Sequence, residues 1–163
     1  MREGVITMNN AYPTEKEALY RLLKVRLKGL TDGVPYLISN LANTSALLWE
    51  ALTDINWAGF YLMQEDRLVL GPFQGRPACV EIPVGKGVCG TAVERDEGLL
   101  VKNVHEFPGH IACDSASNSE IVIPMHKGDT VIGVLDIDSP SFARFDEEDK
   151  EGLAGLVKIL EAL

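Results

Sequence analysis

The sequence predicts one α+β domain over residues 1–163, a central and mostly antiparallel β-sheet flanked by helices at the N- and C-terminal ends. Three observations carry this. Apolar residues recur at helical spacing near both ends of the chain, whereas the middle holds short runs with strand-type alternation. Between the last two such runs, Gly128-Asp129 marks a hairpin turn. Finally, 163 residues at 46% hydrophobic and 24% charged are enough to bury an independent core without disulfide or metal staples. Residues 1–12 are expected as a poorly ordered extension ahead of that core.

The first helix is expected to begin at Thr14, in the capping-box pattern Thr14-Glu15-Lys16-Glu17, with Leu19, Leu22, Leu23, Leu27 and Leu30 as its apolar stripe. Thr31-Asp32-Gly33 ends it, and Pro35 suits the first turn of a second helix, whose stripe would be Leu37, Ile38, Leu41, Leu48 and Leu52. The aromatic and apolar run 55–63 reads as the first strand. Short strands are predicted at 67–70, 78–82 and 99–102, with a short helix over 87–95. Residues 103–119 lack apolar period and form a long loop, a length that inside compact domains usually serves function. Strands at 120–127 and 130–138 follow. Asp146-Glu147-Glu148-Asp149 opens a last helix with acids at its positive end, and Leu153, Leu156, Val157 and Leu160 form its buried stripe.

The charge balance, 15 Lys and Arg against 24 Asp and Glu for a net −9, disfavours a nucleic-acid binder and an anionic membrane surface. No apolar run approaches the roughly 18–20 residues of a membrane helix, and the N-terminus lacks the apolar stretch of a secretory signal. Three cysteines, an odd and sparse set, point to a reducing compartment.

Alternation in the strand 130–138 places Ile132, Val134, Asp136 and Asp138 on one face, with Val131, Leu135 and Ile137 on the other. Both faces are apolar, so the strand is expected to be covered on both sides, and acids there need a partner to offset desolvation. The plainer reading is a strand emerging into solvent, with Asp138 capping the Ser139-Pro140 turn. Glu120 shares its face with Val122 and Pro124 on the preceding strand, and converges with the two aspartates if the hairpin register allows. Crowded carboxyls bind a cation such as an ammonium group, and one of them, held protonated, can donate a proton. On the first strand Trp57, Gly59, Tyr61 and Met63 share a face. Core packing is the ordinary role of such aromatics, but Gly59 would leave open space between two amphipathic rings.

Among the cysteines, Cys113 lies in the long loop, in a stretch of small residues whose backbone N–H groups suit an anion. Such a thiol is a poor core filler. Cys89 is expected at a helix start, where core filling is the ordinary role and the dipole would favour a thiolate. Cys79 admits either role. His105, His110 and Cys113, with His126 nearby, offer zinc ligands, but without the doubled spacing of a structural site, and no metal is expected.

The segments 56–61 (NWAGFY), 70–75 (LGPFQG), 87–90 (GVCG), 105–119 (HEFPGHIACDSASNS) and 133–140 (GVLDIDSP) resemble the free methionine-(R)-sulfoxide reductases, small GAF-domain enzymes, from about Leu37 to the last helix. The resemblance implies a GAF-like fold in which Cys113 attacks the sulfoxide sulfur of free methionine sulfoxide. Methionine leaves, and a sulfenic acid remains. Cys79 or Cys89 condenses with it to a disulfide that thioredoxin reduces, with electrons from NADPH through thioredoxin reductase and no bound cofactor. It also implies a homodimer, in the cytoplasm if the reducing compartment read from the cysteines holds, and a substrate pocket made of Trp57, Tyr61, Glu120, Asp136 and Asp138. The chemistry agrees with the residues read by themselves. Thiolate attack needs the departing oxygen protonated, which a carboxylic acid of raised pKa supplies. The other acids hold the ammonium group, and the aromatics suit the thioether. The competing readings are a GAF sensor that binds a small ligand without catalysis and a zinc hydrolase using His105, His110 and Cys113.

Overall fold

The computed structural model describes residues 12–163; the expected extension lies, Tyr12 apart, outside the described residues. The elements in chain order are α1 (Lys16–Thr31), α2 (Leu37–Ala51), β1 (Trp57–Gln64), β2 (Arg67–Gly75), β3 (Glu81–Pro83), α3 (Gly87–Arg95), β4 (Leu99–Val101), a 3₁₀ turn (Val104–Glu106), β5 (Ser119–Lys127), β6 (Thr130–Ser139) and α4 (Glu147–Glu161). The strands form one sheet in the order β3-β2-β1-β6-β5-β4, and every neighbouring pair is antiparallel. This is the α+β architecture expected from the residue pattern.

The central strands are covered on both faces. Under α1, α2 and α4 lies the larger core, with Leu23, Leu27, Leu41, Leu48, Phe60, Ile121, Leu135, Ile137 and Leu153 sealed from solvent. On the opposite face Leu68, Val88, Ala92, Val104, Val122 and Val134 pack beneath α3 and the loop after β4. The period-2 pattern of β5 and β6 therefore sorts residues between two interiors, and the face holding Glu120, Asp136 and Asp138 looks toward α3.

Four local expectations are corrected. Glu15, not Thr14, caps α1: its carboxylate accepts from the N–H groups of Glu17 and Ala18 at 2.9 and 2.8 Å. A longer carboxylate one residue on reaches the same free N–H groups and adds charge at the positive helix end. Leu30, Leu37 and Ile38 are exposed, whereas Tyr20, Thr31, Thr44 and Ser45 are buried in their place; the two hydroxyls on α2 bond back to Asn40 and Leu41 carbonyls. Ile132 packs with the larger core, not beside Val134, because the β5–β6 register shifts between Met125 and His126. The strand after β2 is shorter than expected, leaving residues 76–80 outside it.

The last helix opens with a reciprocal capping box: the Asp149 N–H donates to Asp146 Oδ1 at 3.1 Å and the Asp146 N–H to Asp149 Oδ2 at 3.0 Å. Asp149, fully buried, also accepts from the Tyr20 hydroxyl at 2.8 Å and Lys16 Nζ at 2.7 Å, which ties α4 to α1. The same contact requires Gly152, where a Cβ would lie 2.2 Å from the Tyr20 ring. Asp149→Ala leaves the buried Tyr20 hydroxyl without its acceptor, takes one of two carboxylates from Lys16 and removes half the capping box. It is expected to cost about 3 kcal/mol, measured as a lower urea midpoint at unchanged slope.

Candidate active site

The register of three strands builds the site. β6 runs between β1 and β5, so Asp138 lies opposite both Trp57 and Glu120, while Asp136 lies opposite Gly59 and Val122. Glu120, Asp136 and Asp138 thereby meet beneath α3, which answers the question the hairpin register left open. The cleft they floor has about 530 Å³ of space, part of it open to solvent. Trp57, Tyr61, Cys89, Cys113 and all three acids line it. Of the residues expected in the site, only Cys79 is absent from this lining, and its neighbours Pro77 and Ala78 are present.

Glu120 and Asp136 are each only 6% exposed, and among the described residues the one basic side chain against them is His110, whose Nε2 is 3.8 Å from Glu120 Oε2. Burial raises the pKa of Glu120 well above the usual carboxylate range, and the negative neighbours Asp136 and Asp138 raise it further. Asp136 is pushed up to about 6 by burial, held down by hydrogen bonds from Glu120 and Cys89. Asp138 rises for the same reasons, burial first and then Asp136 and Asp114. Burial thus favours the neutral form of all three acids, Asp136 the least strongly. Asp136 Oδ1, in the floor of the cleft, is buried and accepts no hydrogen bond from the described residues.

The structure joins Cys113 to Cys79 in a disulfide with Cα atoms 5.5 Å apart, across 34 residues of sequence. Both cysteines are partly exposed. Cys89, in the first turn of α3, is free and buried, with its Sγ 3.9 Å from Glu120 Oε1. The expectation that the helix dipole favours a thiolate there is overturned. Burial and the charges of Asp136, Glu120 and Asp138 drive the Cys89 pKa up, and these outweigh the partial charge of one helix end.

The loop that carries Cys113 is pinned at both ends. The Val104 N–H donates to the Asn118 carbonyl at 3.0 Å, and Asn118 Nδ2 to the Pro140 carbonyl at 2.7 Å. Asn56 Nδ2 reaches Ser117 Oγ at 3.1 Å. Asp114 accepts the N–H groups of Ala116 and Ser117, so these donors close a turn and do not form the anion concavity the composition suggested. The Ser139-Pro140 turn is closed by Ser139 Oγ, which accepts from the Ser141 N–H, and not by Asp138.

The space expected beside Gly59 is taken: a Cβ there would lie 2.3 Å from Phe73 Cβ, and Phe73 stacks on Trp57 at 5.1 Å. Phe73 comes from β2, whose extension past residue 70 the apolar pattern did not register. His110 entered the sequence reading only as a zinc ligand, and here it closes the cleft over Glu120. Burial, helped by His105, lowers its pKa, so it is neutral around pH 7. The other zinc candidates do not gather around it. Cys113 is in the disulfide, His105 Nε2 contacts Asn118 Oδ1 at 2.8 Å, and His126 lies between Asp96 and Glu161.

Comparison with known proteins agrees with this geometry. The GAF domain family model matches residues 37–162. The free methionine-R-sulfoxide reductase of Escherichia coli is 58% identical over 90% of this chain and 88% of its own length. The enzyme of the same name from Saccharomyces cerevisiae is 45% identical over 94% and 89%. The crystal structure of free methionine-R-sulfoxide reductase from Neisseria meningitidis, in complex with its substrate, superposes with a TM-score of 0.90 at 44% identity, covering 93% of this chain and 92% of that one. The chain belongs to the GAF-domain family of free methionine-R-sulfoxide reductases.

Proposed function

We propose that the chain reduces free L-methionine (R)-S-oxide to L-methionine by thiol chemistry at Cys113. One observation carries this reading: Cys113, paired with Cys79, faces the same cleft as Glu120, Asp136 and Asp138, whose carboxyls are all shifted toward the protonated form. In the reduced protein, Cys113 sulfur attacks the sulfoxide sulfur while Glu120 protonates the departing oxygen. The oxygen shifts to the Cys113 sulfur as its bond to the methionine sulfur and the bond between the two sulfurs break, so methionine leaves and Cys113 carries a sulfenic acid. The Cys79 thiol then attacks that sulfur, the S–O bond breaks, and the hydroxyl leaves as water with the thiol proton. Asp136, ionised and with an unpartnered oxygen, takes the substrate ammonium together with Asp138. This selects a free amino acid over a methionine inside a peptide, which has no ammonium group to offer. Trp57 and Tyr61 provide the apolar wall for the methyl and thioether. Cys89, outside the disulfide, bonds to the proton-holding acid and does not enter the redox cycle.

Thioredoxin restores the dithiol, with NADPH as the electron source and no cofactor resident on the chain. The exposed apolar residues of α1 and α2, among them Val25, Leu37, Ile38 and Trp49, suit a homodimer in the cytoplasm. The test is NADPH consumption with thioredoxin and thioredoxin reductase, supplied with each diastereomer of free methionine sulfoxide and with an oxidised peptide. Turnover of the free R form alone is expected. Thiol titration on the reduced protein separates a catalyst from a ligand sensor: two thiols per chain are lost on adding the sulfoxide to the reductase, and none from a sensor.

A further inference from the structure

We propose that Trp57 and Tyr61 are positioning residues for the closing step of the cycle, holding through their polar edges the arm that carries Cys79 so that it meets oxidised Cys113. The proposal rests on the reductase reading above and concerns a step that reading leaves unexplained, namely how a cysteine outside the strands is kept within reach.

Cys79 lies between the end of β2 at Gly75 and the start of β3 at Glu81. The residues before it leave the sheet, and Pro77 and Ala78 line the cleft. Two hydrogen bonds tie this arm down, one near each end. The Trp57 Nε1–H donates to the Arg76 carbonyl at 3.2 Å, and the Tyr61 hydroxyl donates to the Cys79 carbonyl at 2.9 Å. Both donors project from the central strand β1 and are almost fully buried. Their rings stack at 5.8 Å, and Phe73 backs Trp57 on the far side. The base of the clamp is therefore rigid, while what it holds is a short irregular segment.

The approach of the arm also depends on Gly75. Its φ of +132° is open to glycine, and a Cβ there would lie 2.7 Å from Trp57 Cδ1 and 2.9 Å from the Asn56 carbonyl oxygen. Pro77 then restricts the backbone one residue before Ala78. Burial and the charge of Asp136 keep the Tyr61 phenol protonated, so its oxygen remains a donor. These groups act on the placement of Cys79, and a loosened arm spends less time at attacking distance.

The test is a single turnover of the pre-reduced chain with free methionine (R)-sulfoxide and no added reductant. Released methionine, remaining thiols and dimedone-trapped Cys113 are measured on quenched samples. In Tyr61→Phe, which keeps the ring and loses only the hydroxyl, methionine release within the same variant is the reference for the closing step. Loss of the two thiols lags behind it by roughly three- to tenfold, as removal of one net hydrogen bond implies, and dimedone-labelled Cys113 accumulates. Gly75→Ala disturbs the start of the same arm, its Cβ pressing on the Trp57 indole and the Asn56 carbonyl while Tyr61 keeps its hydroxyl, and is expected to give the same lag. Thiol loss that keeps wild-type pace in both variants overturns the proposal. So does a slower methionine release with no added dimedone adduct, which would place the hydroxyl in the substrate step. A wild-type chain that releases no methionine would overturn the reductase reading itself.

Discussion

Cys113→Ser is expected to reduce methionine formation to background, a loss of at least roughly a thousandfold, because no other group in the cleft can take its place. Serine keeps the shape and a hydroxyl, but an alkoxide at neutral pH is scarce and does not accept the sulfoxide oxygen. Cys89 is not a substitute: its thiol is buried and held protonated by burial and by the acids around it. Cys79→Ser is expected to behave differently. It should yield one methionine per chain and then stop, with a Cys113 sulfenic acid that dimedone traps. The two variants together separate the attacking sulfur from the resolving one. Full turnover by Cys113→Ser would remove the mechanism, and sustained turnover by Cys79→Ser with thioredoxin would move the resolving role to Cys89.

Much of this site was legible in single residues because β-strands enforce a period of two. That period put Glu120 with Val122, and Asp136 with Asp138, before any register was known. The convergence of the three depended on which residues pair across the Gly128-Asp129 turn, a nonlocal fact, and on a bulge that left the acids in phase while sending Ile132 to the other side. The loop thiol stood out because it had no apolar period to belong to. What stayed illegible was competition for space and for hydrogen bonds. Nothing in the composition around Gly59 says that Phe73, from a strand that runs five residues longer than its apolar pattern, fills the gap beside it. Nor does a tryptophan and tyrosine four residues apart reveal that their polar edges are already committed to the backbone of the Cys79 arm. Helix faces erred in a related way. Leu37 and Ile38 match a stripe in isolation, but the turn of α2 that meets β2 is set by Leu41, Ser45 and Leu48. Ser45 reaches the Pro72 carbonyl at 3.2 Å, a contact invisible to a hydrophobic count.

Glu120→Gln is expected to lower turnover by roughly a hundred- to ten-thousandfold while making the folded protein more stable at alkaline pH. Both effects have one origin. Glu120 is buried among Asp136 and Asp138, so the folded state binds its proton more tightly than the unfolded chain does. A carboxyl whose pKa is raised on folding leaves the native state holding more protons, and stability then falls as pH rises from the ordinary carboxylate range toward the raised value. Asp136 contributes in the same direction between its usual range and about 6. Glutamine keeps the shape and cannot ionise, so the unfolding free energy of the variant should decline less steeply with pH and exceed that of the wild type near pH 8, by on the order of 1 kcal/mol or more. Activity runs the other way. The wild-type rate should fall at high pH as Glu120 loses the proton it must donate, and at pH below about 6 as Asp136 gains one and loses its hold on the ammonium group. In Glu120→Gln the residual activity should lose the alkaline limb assigned to Glu120. Urea denaturation at pH 5 and pH 8, set beside kcat/KM profiles of both proteins, checks the two halves independently. A glutamine variant that is less stable at pH 8, or one as active as the wild type, would show that the proton is not stored at position 120. The cost of ionising an acid in that pocket is then what makes it a proton donor, since the same desolvation that lowers stability at high pH holds the proton in place until a developing oxide on the substrate takes it.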